Sequence, residues 1–423
     1  MLRIFKTACA LACVSVTLPA SAQMQMGPPA TFLQSITAHS GSGTSAQPAS
    51  TPVAMLMTMH KSWMLMFHGN AFLADTQQTS PRGHDKLFST NWIMPMAQHR
   101  GIGGHGQISL RAMLSFEPAT VTGRQYPLLF QQGETAYGLP IADGQHPHDF
   151  FMELAALYDL PVGERSILSF YFAPVGDPAL GPTAYPHRQS ASEDPVATLG
   201  HHQQDSTHIA DDVLTLGFSH RLLRLEASGF HGREPDEHRW QIQQGAIDSW
   251  STRLTFAPAR NWSAQYSYGR IHSPEALFPD EDQNRMTASV MYNRPLGMNG
   301  NWASTLLWGH TLEPGDHLLQ NSYLFESTAR FQSRNYAFTR IESAGRTTEL
   351  LFGEQPIPPD FHEAPAGHVQ AYTFGYDRDL GHIPHIATAL GAQVTTYHPG
   401  TILQPVYGTN PVGVTVFLRL RPY

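Results

Sequence analysis

Residues 249–269 read SWSTRLTFAPARNWSAQYSYG, and their alternation decides the fold class. Successive side chains of an extended chain point to opposite faces. Over Ser249–Phe256, Trp250, Leu254 and Phe256 therefore share one face, and Ser249, Ser251, Arg253 and Thr255 share the other. Pro258, Ala259, Arg260 and Asn261 reverse the chain. Trp262, Ala264, Tyr266 and Tyr268 then alternate with Ser263, Gln265 and Ser267. Two such strands joined by a tight turn form the hairpin unit of a transmembrane β-barrel, apolar and aromatic towards lipid and polar towards a lumen.

The same unit recurs along the chain. Trp63, Leu65, Phe67, Ala71 and Leu73 stand against Ser62, Met64, Met66, His68 and Asn70. At the far end Val412, Val414, Val416, Leu418 and Leu420 stand against Thr415, Arg419 and Arg421. About 16 segments are expected, within a range of 14–18, centred near residues 68, 91, 109, 153, 170, 213, 227, 252, 265, 291, 306, 325, 340, 374, 390 and 417. A soluble β-sandwich also alternates, but it turns its apolar face inward. Here the polar face carries Arg111, Glu153, Arg224, Glu226, Arg253, Glu326, Arg340 and Arg419, a set that a water-filled lumen accepts. Short connections near 100–101, 160–163, 219–221, 258–261, 295–297, 333–334 and 381–384 alternate with longer ones, including 117–146, 176–206, 234–247, 272–284, 345–367 and 398–411. Short periplasmic turns and long outer loops are the asymmetry of an all-β, antiparallel, up-and-down outer-membrane barrel. The chain ends in the aromatic Tyr423, although Pro422 interrupts the alternation just before it.

The N-terminus agrees with export. Arg3 and Lys6 precede an apolar run from Thr7 to Leu18, and Pro19, Ala20, Ser21 and Ala22 end in a small-x-small site. This is read as a signal peptide over 1–22, cut after Ala22. Residues 23–60, with the linker composition of Ser40–Pro48, are read as a disordered periplasmic lead-in, and 61–423 as the barrel. Both cysteines, Cys9 and Cys13, fall inside the signal, so the exported chain has neither a disulfide framework nor a thiolate site. Removing the signal takes Lys plus Arg from 26 to 24 against 34 acids, and the net charge from −8 to −10. That balance argues against nucleic-acid binding. The expected partners are outer-membrane lipid and small ions or solutes of a Gram-negative envelope. Oligomeric state is not legible in the sequence.

The chain carries 23 histidines, and the densest groups fall in two of the long connections. One holds His146, His148 and Asp149. The other holds His187 and then His201, His202, Asp205 and His208. Imidazole with carboxylate suits Zn, Cu(II), Ni or Fe without selecting one. The bland alternative is a set of loop residues satisfying each other's hydrogen bonds. A softer group, Met64, Met66 and His68, shares the lumen face of the first strand, and thioethers select Cu(I). Met94 and Met96 follow on the next strand, where filler is the simpler reading. The cofactor expectation is thus a transition metal, copper or zinc. No activated nucleophile is identifiable; Asp205, Ser206, Thr207 and His208 hold the residue types of a hydrolase, but a triad is a matter of geometry.

Gly144–Leu154 (GQHPHDFFMEL), His187-Arg-x-Ser-Ala and His201–His208 (HHQQDSTH) resemble the motifs of an uncharacterised family of bacterial outer-membrane barrels associated with metal-resistance gene sets. The resemblance runs from about residue 60 to the end and implies a fold and a setting, with no activity or site residues attached. Three functions compete: a pore or transport barrel with metal-binding histidine loops, a barrel-borne lipid hydrolase, and a structural or adhesive barrel with a plugged lumen. An open lumen would favour the first and a lumen filled by 117–146 and 176–206 the third. A Ser206 hydrogen bond to His208 or His202 would favour the second.

Overall fold

The computed structural model describes residues 27–314, 318–358 and 361–423. The signal segment lies outside them. Sixteen long strands follow in order: β1 Trp63–Thr79, β2 Lys86–Ile102, β3 Gly106–Leu114, β4 Phe151–Pro161, β5 Ser166–Gly176, β6 Ala210–His220, β7 Leu223–His231, β8 Ser249–Phe256, β9 Trp262–Ile271, β10 Gln283–Pro295, β11 Asn301–Glu313, β12 Leu318–Phe331, β13 Asn335–Thr347, β14 Pro365–Ile383, β15 Ile386–His398 and β16 Val412–Pro422. Each pairs antiparallel with the next. The barrel closes where Ala71–Thr79 of β1 pairs with Leu420–Val412 of β16. The rest of that β1 edge is covered by a short strand, Leu56–His60, in register from Leu56↔Phe67 to His60↔Trp63. Closure pairs the sixteen long strands into a ring, as a bilayer requires, and among the described strands of this sheet leaves only the outer edge of Leu56–His60 unpaired.

All sixteen expected centres fall inside strands, and the expected faces hold. Leu73, Phe170, Leu216, Trp250, Tyr266 and Val416 are exposed on the outer wall. The eight charged side chains assigned to the lumen are each at most 3% exposed. They neutralise one another across neighbouring strands. Arg111 grips Glu153 through Nε and Nη2 at 2.6 and 2.7 Å. Glu226 takes Arg224 and Arg253, each at 3.0 Å. No described helix is long and apolar enough to cross a membrane; the strands do the crossing.

The interior corrects two expectations. A barrel of 16 strands is too wide for side chains to fill, so its lumen holds either water or polypeptide. Here it holds polypeptide. Residues 27–60, expected to be disordered, are ordered. A helix, Phe32–Ala38, sits against Ala257 of a short turn. The chain then enters the lumen and is buried at His39, Ser42, Thr44, Ala46, Ala49, Ser50 and Thr51. Arg111 donates to the carbonyls of His39, Gly41 and Gly43 at 3.1, 2.6 and 2.7 Å. Asn293 Nδ2 donates to Ser50 O at 2.8 Å. A Gly/Ser composition serves a free linker, but it equally lets backbone approach a wall of arginines, and the charged lumen decides between the two.

The second correction concerns the connections 115–150 and 177–209. They do not stand at the outer mouth but fold back into the barrel. The second one crosses it. Asn70 of β1 reaches Ser192 O, Glu326 of β12 takes Arg188 and Ser190, and Gln393 of β15 donates to Asp194. Arg419 of β16 pairs with Glu193. Tyr126, Leu128, Leu129, Phe130 and Leu199 from these connections pack with Phe72, Phe88, Phe338 and Phe417 of the wall in one buried apolar cluster.

Candidate site inside the plug

Local helical turns gather the histidines. His201–Gln204 forms a single turn, which brings residues four apart onto one face, so His201 Nδ1 meets Asp205 Oδ1 at 2.8 Å. The following turn, Ser206–His208, carries His208 back so that its Nδ1 donates to Asp205 O at 2.7 Å. Asp205 Oδ2 accepts from Arg188 at 2.6 Å and from the Tyr185 amide at 3.0 Å. From the other connection, His148 Nδ1 lies 3.0 Å from Glu117 Oε2, and its Nε2 lies 3.2 Å from Tyr185 Oη. Glu134 receives His146 Nε2 at 2.7 Å and His202 Nε2 at 2.9 Å.

Charge follows from this packing. Burial works to raise the Asp205 carboxyl, but Arg188, His201 and His208 hold it well below the usual carboxylate range. Burial likewise opposes ionisation of Glu134, yet His146 and His202 keep it well below its ordinary value. His146 is pushed down to about 3 by burial and by Arg239, and His208 is pushed well below its usual range by burial and by His201 and His148. His148 moves the other way: Glu117 outweighs burial and raises it.

The structure therefore sorts the expected residues. His148, His201 and His208 come together: the His148–His208 and His201–His208 ring centroids are 5.3 and 5.2 Å apart. His202 stacks edge-on to His201 at 5.3 Å. His146 stands beyond Glu134, and Asp149 is held apart by Arg239 at 3.1 Å, with burial pushing its carboxyl up to about 6. Two imidazoles on one tetrahedral ion, with metal–nitrogen bonds of about 2.0 Å, place their ring centres about 5 Å apart. The His208 ring has that spacing to both His148 and His201, each Nδ1 is fixed by an acceptor, and His208 Nε2 is buried without a partner among the described residues. Fixing one ring nitrogen is how proteins aim the other at a metal. Yet among the described residues no three His, Cys, Asp or Glu side chains already hold a metal-binding arrangement.

Ser206 Oγ accepts from Arg285 at 2.7 Å, so it is engaged away from the Asp205-bound ring of His208. Sequence reasoning missed Glu117, Glu134 and Tyr185 as partners of the histidines. Both glutamates lie in a long connection whose inward folding gives no local signal, and Tyr185 reads as an ordinary loop aromatic.

The softer group lies deeper towards the wall. Met66 and His68 face the lumen and are buried, whereas Met64 is half-buried near the strand's start. Met94 and Met96, read as filler, also face the lumen, opposite His68 and Met66 respectively.

No protein-family model matches this chain, and no curated protein does. Solved structures match its fold. Pseudomonas putida OprB superposes with a TM-score of 0.53 at 8% identity, over 85% of this chain and 94% of that one. An anion-selective porin from Comamonas acidovorans gives 0.49 at 9% identity over 85% and 99%, and Salmonella typhi OmpF gives 0.49 at 8% over 86% and 99%. The OprB likeness shows the outer-membrane barrel fold.

Proposed function

We propose that this chain is an outer-membrane passage barrel for small ions or solutes, held closed by its own lead-in together with the inward-folded connections 115–150 and 177–209, with a transition-metal site in the plug. The observation that carries the reading is the chemistry of the lumen. Strand residues Arg111, Arg253 and Asn293 hold residues 39–51 through carbonyl and hydroxyl oxygens, contacts that water can replace, and the charged contacts to this segment include His39 to Asp159 at 2.6 Å and the Gly43 amide to Glu153 at 2.9 Å. A purely structural barrel has no need of a closure built from exchangeable contacts. The likeness to porin barrels agrees with passage.

The test is single-channel conductance in planar bilayers. The intact protein should conduct little, and a variant lacking residues 27–51 should conduct at least tenfold more while keeping heat-modifiable migration. A variant as silent as the intact protein would favour the plugged structural barrel.

His148, His201 and His208 are the residues that would hold the ion, with Glu117 and Asp205 orienting them. Imidazoles suit a divalent ion such as Zn(II) or Cu(II), which must displace the proton that Glu117 favours on His148. The intact protein, incubated with Zn(II) and desalted, should retain the metal, and H148A/H208A should not. Equal zinc in both would remove the metal from the reading and leave the passage untouched.

A further inference from the structure

The chain has 15 methionines, and eight of them meet in one place. Met57, Met66, Met94, Met96, Met113 and Met152 form a buried lumen cluster, with Met55 and Met64 packed against it. Its other buried members are only Val175 and Ile209. Methionine is a serviceable gap-filler, but a filler is used singly among branched aliphatics that pack with defined rotamers. This cluster inverts that proportion, with methionines outnumbering the branched aliphatics Val175, Ile209, Leu154 and Ile242.

Two imidazoles stand in it. His68 on β1 is opposite Met94 on β2, and its Nε2 is buried without a partner among the described residues. His187, from the plug, puts Nε2 3.2 Å from Met113 Sδ. Sulfur is a weak acceptor, so neither ring nitrogen has a satisfying partner of its own. The two rings are 5.7 Å apart between centroids, and Trp92 lies against both, at 5.1 Å from His68 and 4.4 Å from His187. Metal–nitrogen and metal–sulfur bonds of about 2.0 and 2.3 Å put two ligands of one ion about 3.2–3.7 Å apart. The His187–Met113 contact already has that span.

We infer that the lumen holds a second metal site, built from the thioethers of Met94 and Met113 and the imidazoles of His68 and His187, that takes a soft monovalent cation, Cu(I). The ligands are all neutral. The nearest fixed charge, on Arg111, is matched by its two-pronged bond to Glu153, so a divalent ion would leave two uncompensated charges in a buried setting. Thioether with imidazole selects Cu(I) over Zn(II). Trp92 offers an aromatic face to the bound cation. Met66, Met96 and Met152 surround the four ligands with polarizable, flexible side chains that let the donors close on the ion. His68 keeps the role its sequence position suggested, while Met94 and Met113 take the places that Met64 and Met66 were expected to fill.

This site is separate from the proposed imidazole site, and the test keeps them apart. Purified full-length protein in detergent should compete anaerobically with bicinchoninate for one equivalent of Cu(I). M94L/M113L, which conserves volume, should bind at least a hundredfold more weakly while still migrating heat-modifiably, and H148A/H208A should bind Cu(I) as the intact protein does. Equal Cu(I) affinity in M94L/M113L overturns the site. Loss of Cu(I) from H148A/H208A also overturns it, by assigning the ion to the imidazole cluster. Should M94L/M113L fail to fold, X-ray absorption on the copper-loaded intact protein decides: sulfur neighbours near 2.3 Å are expected, and an all-nitrogen shell refutes the inference.

Discussion

Two parts of the chain fill the same lumen by opposite means. Residues 39–51 carry no apolar side chain larger than Pro48, and their backbone is held by Arg111, Ser263 and Asn293 of the strands. The connections 115–150 and 177–209 add ion pairs to an apolar cluster in which Tyr126, Leu129 and Phe130 are wholly buried. Each such large side chain stabilises by roughly 1.5–3 kcal/mol, and none of that is available to residues 39–51. The outer connections are therefore part of the folded body, whereas the lead-in is an insert. A channel that must open would release the insert and keep the body.

Removing charges should expose this difference most strongly. In the body, Arg188→Met removes the guanidinium shared by Glu326 and Asp205, leaving Asp205 to His201 and Glu326 to Ser190 and Arg340, and should lower barrel stability by about 3 kcal/mol, read as a fall in the temperature of the heat-modifiable transition. Arg111→Met frees Glu153 but chiefly unties three lead-in carbonyls. It should therefore raise conductance in a way that Arg188→Met does not. If both variants lose stability without conducting, the two regions are one cooperative unit. Hydrogen exchange sharpens the same contrast without mutation: amides of 41–46 should exchange before those of 126–131.

A smaller effect is expected at Gly43. It sits at φ +58°, and a Cβ there would come within 2.7 Å of Asp177. Gly43→Ala should loosen the insert by about 1–3 kcal/mol, giving intermittent openings rather than a steady channel. The smallest effect is that of pH. Asp177 accepts from Ser42 in a lumen it shares with Arg253, Glu153 and Arg111, and burial pushes its carboxyl up to about 8. With the lead-in inserted, Asp177 holds a proton that a solvated carboxyl, near pKa 3.9, has already lost. Insertion is then fully favoured at low pH, weakens as pH rises, and levels off above about 8. Open probability should increase from pH 6 to pH 8 and be flat in D177N; an unchanged slope in D177N would assign the titration elsewhere.

The wall was legible because period-2 alternation is a local property. The face of Arg253 follows from Trp250 and Leu254 beside it, whatever the rest of the chain does. The plug was illegible for the converse reason. Nothing near Ser40–Pro48 says that Arg111, some 70 residues on, will take its carbonyls. The histidine motifs were visible, but their partners Glu117, Glu134 and Tyr185 become neighbours only when two loops fold inward together. Met94 read as filler on its own strand, and Met113 and His187 come to it from other elements.

Sequence alone determined the barrel, a count of about 16 strands within 14–18, the lipid and lumen faces and the charged lining, because each is written in neighbouring residues. Tertiary structure alone decided that the lumen is closed, by which segments, and which histidines and methionines face one another. Those outcomes depend on contacts between residues far apart in the chain, and a lumen this wide can satisfy its charges equally well with water or with backbone.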